Sequence, residues 1–189
     1  NLKGARAIAD RFGGRLKAFY SFDGTSAAII AGAVGSRRYR VEIKTEGGHS
    51  YGKFGASNAI ERLAAVIERL YEVKVPTEGR TTYNVGVVEG GTSVNTIAQR
   101  ASMLYEFRSN SLGDLKKMQS VFEDIIEEFR QKGTDIRAEL LGERPCGAEV
   151  PKEKMDELIE RAKHAIARGY DWEPALTFAS TDCNIPLSR

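Results

Sequence analysis

Two periods of apolar and polar residues alternate along this chain, and the switches between them mark its elements. Over residues 2–12 apolar side chains recur at Leu2, Ala5, Ile8, Ala9 and Phe12, the spacing of one helix face, until Gly13-Gly14 ends the run. Residues 16–22 are rich in aromatics and residues 27–34 are almost uniformly small and apolar, which predicts two strands buried on at least one face, with Asp23 at the end of the first. From Tyr39 to Lys44 apolar and charged positions alternate as in a half-buried strand, and a glycine-rich loop over 46–52 stops the pattern. Ser57 or Asn58 can cap the next helix, whose stripe of Ile60, Leu63, Ala64, Ile67, Leu70 and Tyr71 runs to about Val73. Residues 82–88 and 101–108 read as strands on either side of a loop. Leu115, Met118, Val121, Phe122, Ile125, Ile126 and Phe129 then line one face of a helix over 112–132, which Gly133 stops. A strand over 136–141, a helix over 151–167 and a short strand over 175–178 complete the reading.

Between Arg37 and Leu141 the order is strand, helix, strand, strand, helix, strand. That order predicts an α+β fold, a ferredoxin-like sandwich with two helices on one face of an antiparallel sheet. The helix and strands before it, and the helix and strand after it, do not continue the repeat. They suggest a second, interrupted α/β unit, giving expected divisions of 1–36 for one part of a host domain, 37–149 for the sandwich and 150–189 for the other part of the host. The chain opens on Asn1 rather than Met and stops after a Pro-containing segment, so both ends read as cut.

Composition narrows the field without choosing within it. Lys plus Arg number 28 against 26 Asp plus Glu, so the overall charge points to neither a nucleic-acid nor an anionic-membrane partner, and a small ligand is expected. No apolar run approaches the ~20 residues of a membrane helix, and the first residues lack the plan of a signal peptide, which makes a cytoplasmic setting the default. Cys146 and Cys183 fit no disulfide framework or thiolate zinc pattern and are expected to be free thiols.

Several short motifs then fall in one order. They are Gly47-Gly48-His49-Ser50, Asn58-Ala59-Ile60 opening a long helix, Asn84-Val85-Gly86, Glu89-Gly90-Gly91-Thr92, Asn95, and Glu106-Phe107-Arg108. Together they resemble the lid-domain signature of the zinc-dependent exopeptidases and deacylases that include carboxypeptidase G, peptidase T and acetylornithine deacetylase. Tyr20-Ser21-Phe22-Asp23-Gly24 is similar to the strand end that carries a zinc-binding carboxylate in that family, and Ser180-Thr181-Asp182-Cys183-Asn184 to its late substrate-side loop. The resemblance implies a catalytic domain with two zinc ions, interrupted by a lid that pairs with a second copy to make a homodimer. The other metal motifs of the family have no counterpart in this sequence.

Each candidate also has a plainer reading. Asp23 alone is an Asp-Gly turn, whereas the resemblance makes it a zinc ligand. His49 alone is an exposed or capping loop histidine; by resemblance it is catalytic, reaching the partner's site to polarise the scissile carbonyl. Asn95 either stabilises its own turn or binds the substrate backbone. Arg108 either pairs with Glu106 or another acid, or takes a substrate carboxylate through its two-pronged guanidinium. Thr181 and Asp182 would border the substrate. Where the family often has Ile-Pro after the Asn, this chain has Thr96-Ile97-Ala98.

The implied parent is a zinc-dependent amidohydrolase acting on short peptides or N-acyl amino acids, with aminopeptidase, carboxypeptidase and deacylase chemistry all open. A single zinc ligand makes no zinc site, so this chain by itself is expected to be inactive. The alternatives are an autonomous ferredoxin-like module that binds a small molecule, and a purely structural dimerisation unit.

Overall fold

The computed structural model describes residues 2–22, 28–148 and 150–189. Its centre is a four-stranded antiparallel sheet made of β2 (Gly35–Lys44), β4 (Thr81–Gly90), β6 (Arg100–Ser109) and β7 (Asp135–Arg144), in the spatial order β4-β6-β2-β7. Helices α2 (Ala59–Tyr71) and α3 (Leu112–Gln131) connect β2 to β4 and β6 to β7. This is the ferredoxin-like βαββαβ arrangement predicted by the element order.

Alternation sets which face is covered. On β6, Ala101, Met103, Tyr105, Phe107 and Ser109 are buried, and the residues between them are half-exposed. The buried apolar set meets Tyr39, Val41 and Ile43 of β2 and the inner faces of both helices in one core, where Phe122 packs on Tyr39, Tyr105 and Phe107. Asn58 caps α2 by accepting from Ile60 N–H, and Ser111 caps α3 by accepting from Asp114 N–H.

Three details differ from the sequence reading. The inward face of α2 is Ala59, Leu63, Val66 and Leu70, while Ile60 and Tyr71 stand exposed. Val121 of α3 is also exposed. Residues 16–22 contain no strand. A strand needs a neighbour for its backbone groups, and β1 (Ala28–Ala33) pairs instead with β8 (Ala175–Ala179), in parallel. Of the aromatic side chains in that segment only Phe19 packs, against the small cluster of Ala5, Ala9 and Ile185; Tyr20 is exposed, its hydroxyl donating to the Leu158 carbonyl at 3.4 Å, and Phe22 is almost fully exposed.

The β1·β8 pair, with α1 (Lys3–Phe12), α4 (Lys152–Ala167) and the short α5 (Asn184–Leu187), forms the region next to the Gly35 and Arg144 ends of the sheet. It borders an apolar cavity of about 580 Å³. Cys146 and Cys183 are both free, as expected.

Candidate functional site

His49 and Asn95 sit on separate loops that a two-residue ladder joins. In it β3 (Gly48–His49) pairs antiparallel with β5 (Thr96–Ile97), His49 opposite Thr96, and Ser50 N–H donates to the Asn95 carbonyl at 2.9 Å. The close approach depends on Gly47, whose φ of +64° suits glycine and whose Cβ, were there one, would lie 2.8 Å from the Ile97 carbonyl oxygen. His49 Nδ1 accepts from Tyr51 N–H at 3.3 Å, so the proton of the neutral ring belongs on Nε2, which an exposed side chain offers to solvent or a ligand. Asn95 Oδ1 accepts from the Ser93 hydroxyl, a bond within its own loop that leaves the amide NH₂ to act outward.

Arg108 is placed differently. Its Nε and Nη2 donate to the two carboxylate oxygens of Glu106 at 2.9 and 3.0 Å, and Arg38 Nε donates to the same carboxylate at 3.1 Å. Partial burial works against ionisation of Glu106, but the hydrogen bonds and charges of Arg108 and Arg38 outweigh it and hold the carboxyl below its usual range. The pairing with Glu106, the plainer of the two readings of Arg108, is thus present in the structure.

Thr181 and Asp182 lie between β8 and α5, and their loop is pinned by Asn184, which is completely buried. Asn184 Oδ1 accepts from Thr181 N–H at 2.8 Å, while its Nδ2 donates to the carbonyls of Val34 at 2.9 Å and Pro145 at 2.8 Å. Those two carbonyls flank the sheet where the chain enters β2 and leaves β7. Arg144 Nη1 adds bonds to the Ser180 carbonyl and hydroxyl at 3.1 and 3.2 Å. Burial pushes the Cys183 thiol up, against hydrogen bonds from Thr181 and Ser21 that work the other way. Sequence reasoning missed the role of Asn184; the signal available was the amide that closes the Ser180-Thr181-Asp182-Cys183-Asn184 motif.

The register separates these groups. Arg100 and Ala101 of β6 stand at the end near His49 and Asn95, opposite Lys44 and Gly90, whereas Arg108 is opposite Ser36 and Thr82 at the far end. Eight residues of strand at ~3.3 Å each put the two ends roughly 25 Å apart. Within one chain, His49 and Asn95 come together at one end of the sheet, and Arg108 shares the other with the Thr181–Asp182 loop. Asp23 lies outside the described residues. Among the described residues no three His, Cys, Asp or Glu side chains gather closely enough to hold a metal ion, so they do not by themselves make a zinc centre.

The peptidase dimerisation domain family matches residues 31–134, more than half of the chain. The chain belongs to this family. No curated protein matches it. Among solved structures, the dimerisation-domain chain is similar in fold to a tripeptidase from Staphylococcus aureus, with 19% identity and a TM-score of 0.69 over 97% of this chain and 49% of that one. It is also similar to the aminobenzoyl-glutamate utilization protein from Klebsiella pneumoniae, with 18% identity and a TM-score of 0.67 over 86% of this chain and 43% of that one. The aminopeptidase PepT from Bacillus cereus gives 24% identity and a TM-score of 0.63 over 98% and 49%. The chain spans about half the length of these structures or less.

Proposed function

We propose that this chain is the dimerisation lid, with adjoining strips of the catalytic domain, of a zinc-dependent amidohydrolase that cleaves short peptides or N-acyl amino acids. The observation that carries the proposal is the separation of the candidate groups to opposite ends of one sheet. Among the described residues β4 is an edge strand of that sheet and pairs with β6 along its whole length. A two-fold axis normal to the sheet pairs β4 with its copy antiparallel, keeps both helix layers on one side, and sets the His49 end of each chain beside the Arg108 end of the other. His49 and Asn95 then act in the second copy's site, His49 on the scissile carbonyl and Asn95 on the substrate backbone. Thr181, Asp182 and Arg108 border that site from their own chain, Arg108 after exchanging Glu106 for a substrate carboxylate. The zinc ions of the parent would supply an activated water; Asp23 is the ligand assigned to this chain.

The division into 1–36, 37–149 and 150–189 goes with this proposal. Support comes from β1·β8: parallel sheets are ordinarily covered on both faces, yet here two parallel strands stand with Leu176 and Phe178 more than half exposed. Among the described residues no helix is long and apolar enough to cross a membrane. A cytoplasmic homodimer is the setting proposed.

Native mass spectrometry of the 189-residue chain with and without zinc tests the proposal, together with a peptide-hydrolysis assay. The expected result is a dimer with no stoichiometric zinc and no turnover. Retention of two zinc ions, or metal-dependent hydrolysis, would overturn the assignment of the chain as an incomplete part. Val85 N–H is bonded to the Tyr71 hydroxyl at 3.3 Å rather than to a neighbouring strand, so Val85→Pro removes an edge donor at small expense to the fold and should give monomers. An unchanged dimer mass would place the interface elsewhere.

A further inference from the structure

Around His49 and Asn95 the chain exposes apolar surface to an extent that neither role explains. Tyr51 is 91% exposed, Phe54 94% and Val94 fully so. All three lie on the two loops that β3·β5 joins, Tyr51 and Phe54 after His49 and Val94 before Asn95. Single exposed apolar residues are ordinary, but three large ones at the tip of one structure mark a contact.

The tip is also built to be rigid. Besides the ladder and the Ser50–Asn95 bond, Lys53 N–H donates to the His49 carbonyl at 2.9 Å and Ala56 N–H to the Lys53 carbonyl at 3.0 Å. Gly91, with φ +74°, lets the second loop turn back against Ile60. A preorganised apolar tip loses little freedom on binding.

We propose that Tyr51, Phe54 and Val94 form one contact surface for a second copy of this chain, covered together on dimerisation, so that His49 and Asn95 are delivered inside an apolar rim. The proposal rests on the homodimer reading above and extends its interface beyond β4. Continuity argues for a second copy. The tip adjoins the exposed Ile60 at the start of α2 and Val88 near the end of β4, and exposed Tyr71 and Val75 stand at the far end of α2. Antiparallel pairing of β4 sets those two ends against each other, apolar to apolar. The rim would exclude water from around His49 and favour substrates with an apolar group at that place.

Hydroxyl-radical footprinting of the full 189-residue chain, followed by mass spectrometry across a dilution series whose dimer fraction is measured by sedimentation, tests this. Oxidation of Tyr51 and Phe54 should fall several-fold in the dimer while Tyr170, exposed beyond α4, reacts unchanged. Phe54→Ser, a change at an exposed position that leaves the core intact, should weaken the dimer by about tenfold or more. A dimer in which Tyr51 and Phe54 stay as reactive as in the monomer, or Phe54→Ser dimerising with unchanged affinity, overturns the rim and leaves the homodimer standing. A chain that stays monomeric overturns both.

Discussion

Replacing Asn184 tests whether hydrogen bonding or shape holds the Thr181–Asp182 loop to the sheet. Its side chain is fully buried and makes three bonds of 2.8–2.9 Å, to Thr181 N–H and to the Val34 and Pro145 carbonyls. Truncation in Asn184→Ala leaves all three partners without it. A buried group left unsatisfied costs about 1–3 kcal/mol, and partial relaxation or water admitted to the gap lowers the sum of three such groups, so a loss of about 3 kcal/mol is expected. For a chain of this size that is a fall in Tm of roughly 6–12 °C. Asn184→Asp sharpens the test. Its shape is nearly that of Asn and it retains an acceptor for Thr181, but it removes both donors and sets a carboxylate against two carbonyl oxygens. If bonding governs, Asp is at least as damaging as Ala at pH 7; if shape governs, Asp is the milder change. Urea denaturation gives the stability, and hydrogen exchange at Thr181 N–H locates it, with faster exchange there while the amides of β6 remain protected. Stability of Asn184→Ala within about 1 kcal/mol of the parent chain, or Asp clearly milder than Ala, would refute the reasoning.

Glu106 is held ionised by Arg108 and Arg38, its folded pKa lying below the ordinary 4.5. The stability it contributes is therefore present above pH 4.5 and lost as pH falls through its lower folded value; Glu106→Gln should lack this component in denaturation midpoints taken from pH 6 to pH 2. Asp114 is buried and accepts from Gly79 N–H at 2.9 Å and from the Thr81 hydroxyl at 3.4 Å; Asp114→Ala should cost about 2 kcal/mol in urea denaturation, with Asn milder because it keeps an acceptor. Gly47→Ala adds strain at φ +64° and a clash with the Ile97 carbonyl, and should open the β3·β5 ladder, seen as lost amide protection at Ser50 with the four-stranded sheet unchanged.

The sandwich was legible because its signals are local and repeated. Alternation over Tyr39 to Lys44 of β2 and over all of β6 fixes which side faces the helices, and on α3 six of the seven residues assigned to one face are buried. The α2 stripe was set off by part of a turn because Ala64, Ala65, Val66 and Ile67 are all apolar, so periodicity alone accommodates more than one face. The core selects Val66, and Ile60 and Tyr71 are left outward along the proposed interface. The missing strand over 16–22 has another cause. Aromatic content is a weak guide here: Phe19 packs against helices while Tyr20 and Phe22 stand exposed, and a strand also requires a backbone partner that composition does not report.

Site residues were legible as types but not as neighbours. The sequence offers His49, Asn95 and Arg108 as one set, and nothing along it says that the first two share an end of the sheet while the third lies roughly 25 Å away with its guanidinium on Glu106. Strand register decides that, and register depends on pairings between residues far apart in the chain. The same holds for Asn184, whose partners Val34 and Pro145 are remote in sequence and adjacent in space. If each end of the sheet carries half of a site, selection on catalysis acts on β4 and its flanking tip as much as on His49 itself. Loss of the edge contact would then abolish turnover in the parent with every candidate side chain still in place. A covalently tethered pair of parent subunits, one carrying His49→Ala and the other Arg108→Ala, separates the possibilities. If His49 serves the second copy, both lesions fall in one composite site and the other site is intact, so about half the activity should survive. If each chain serves itself, both sites are damaged and almost none should.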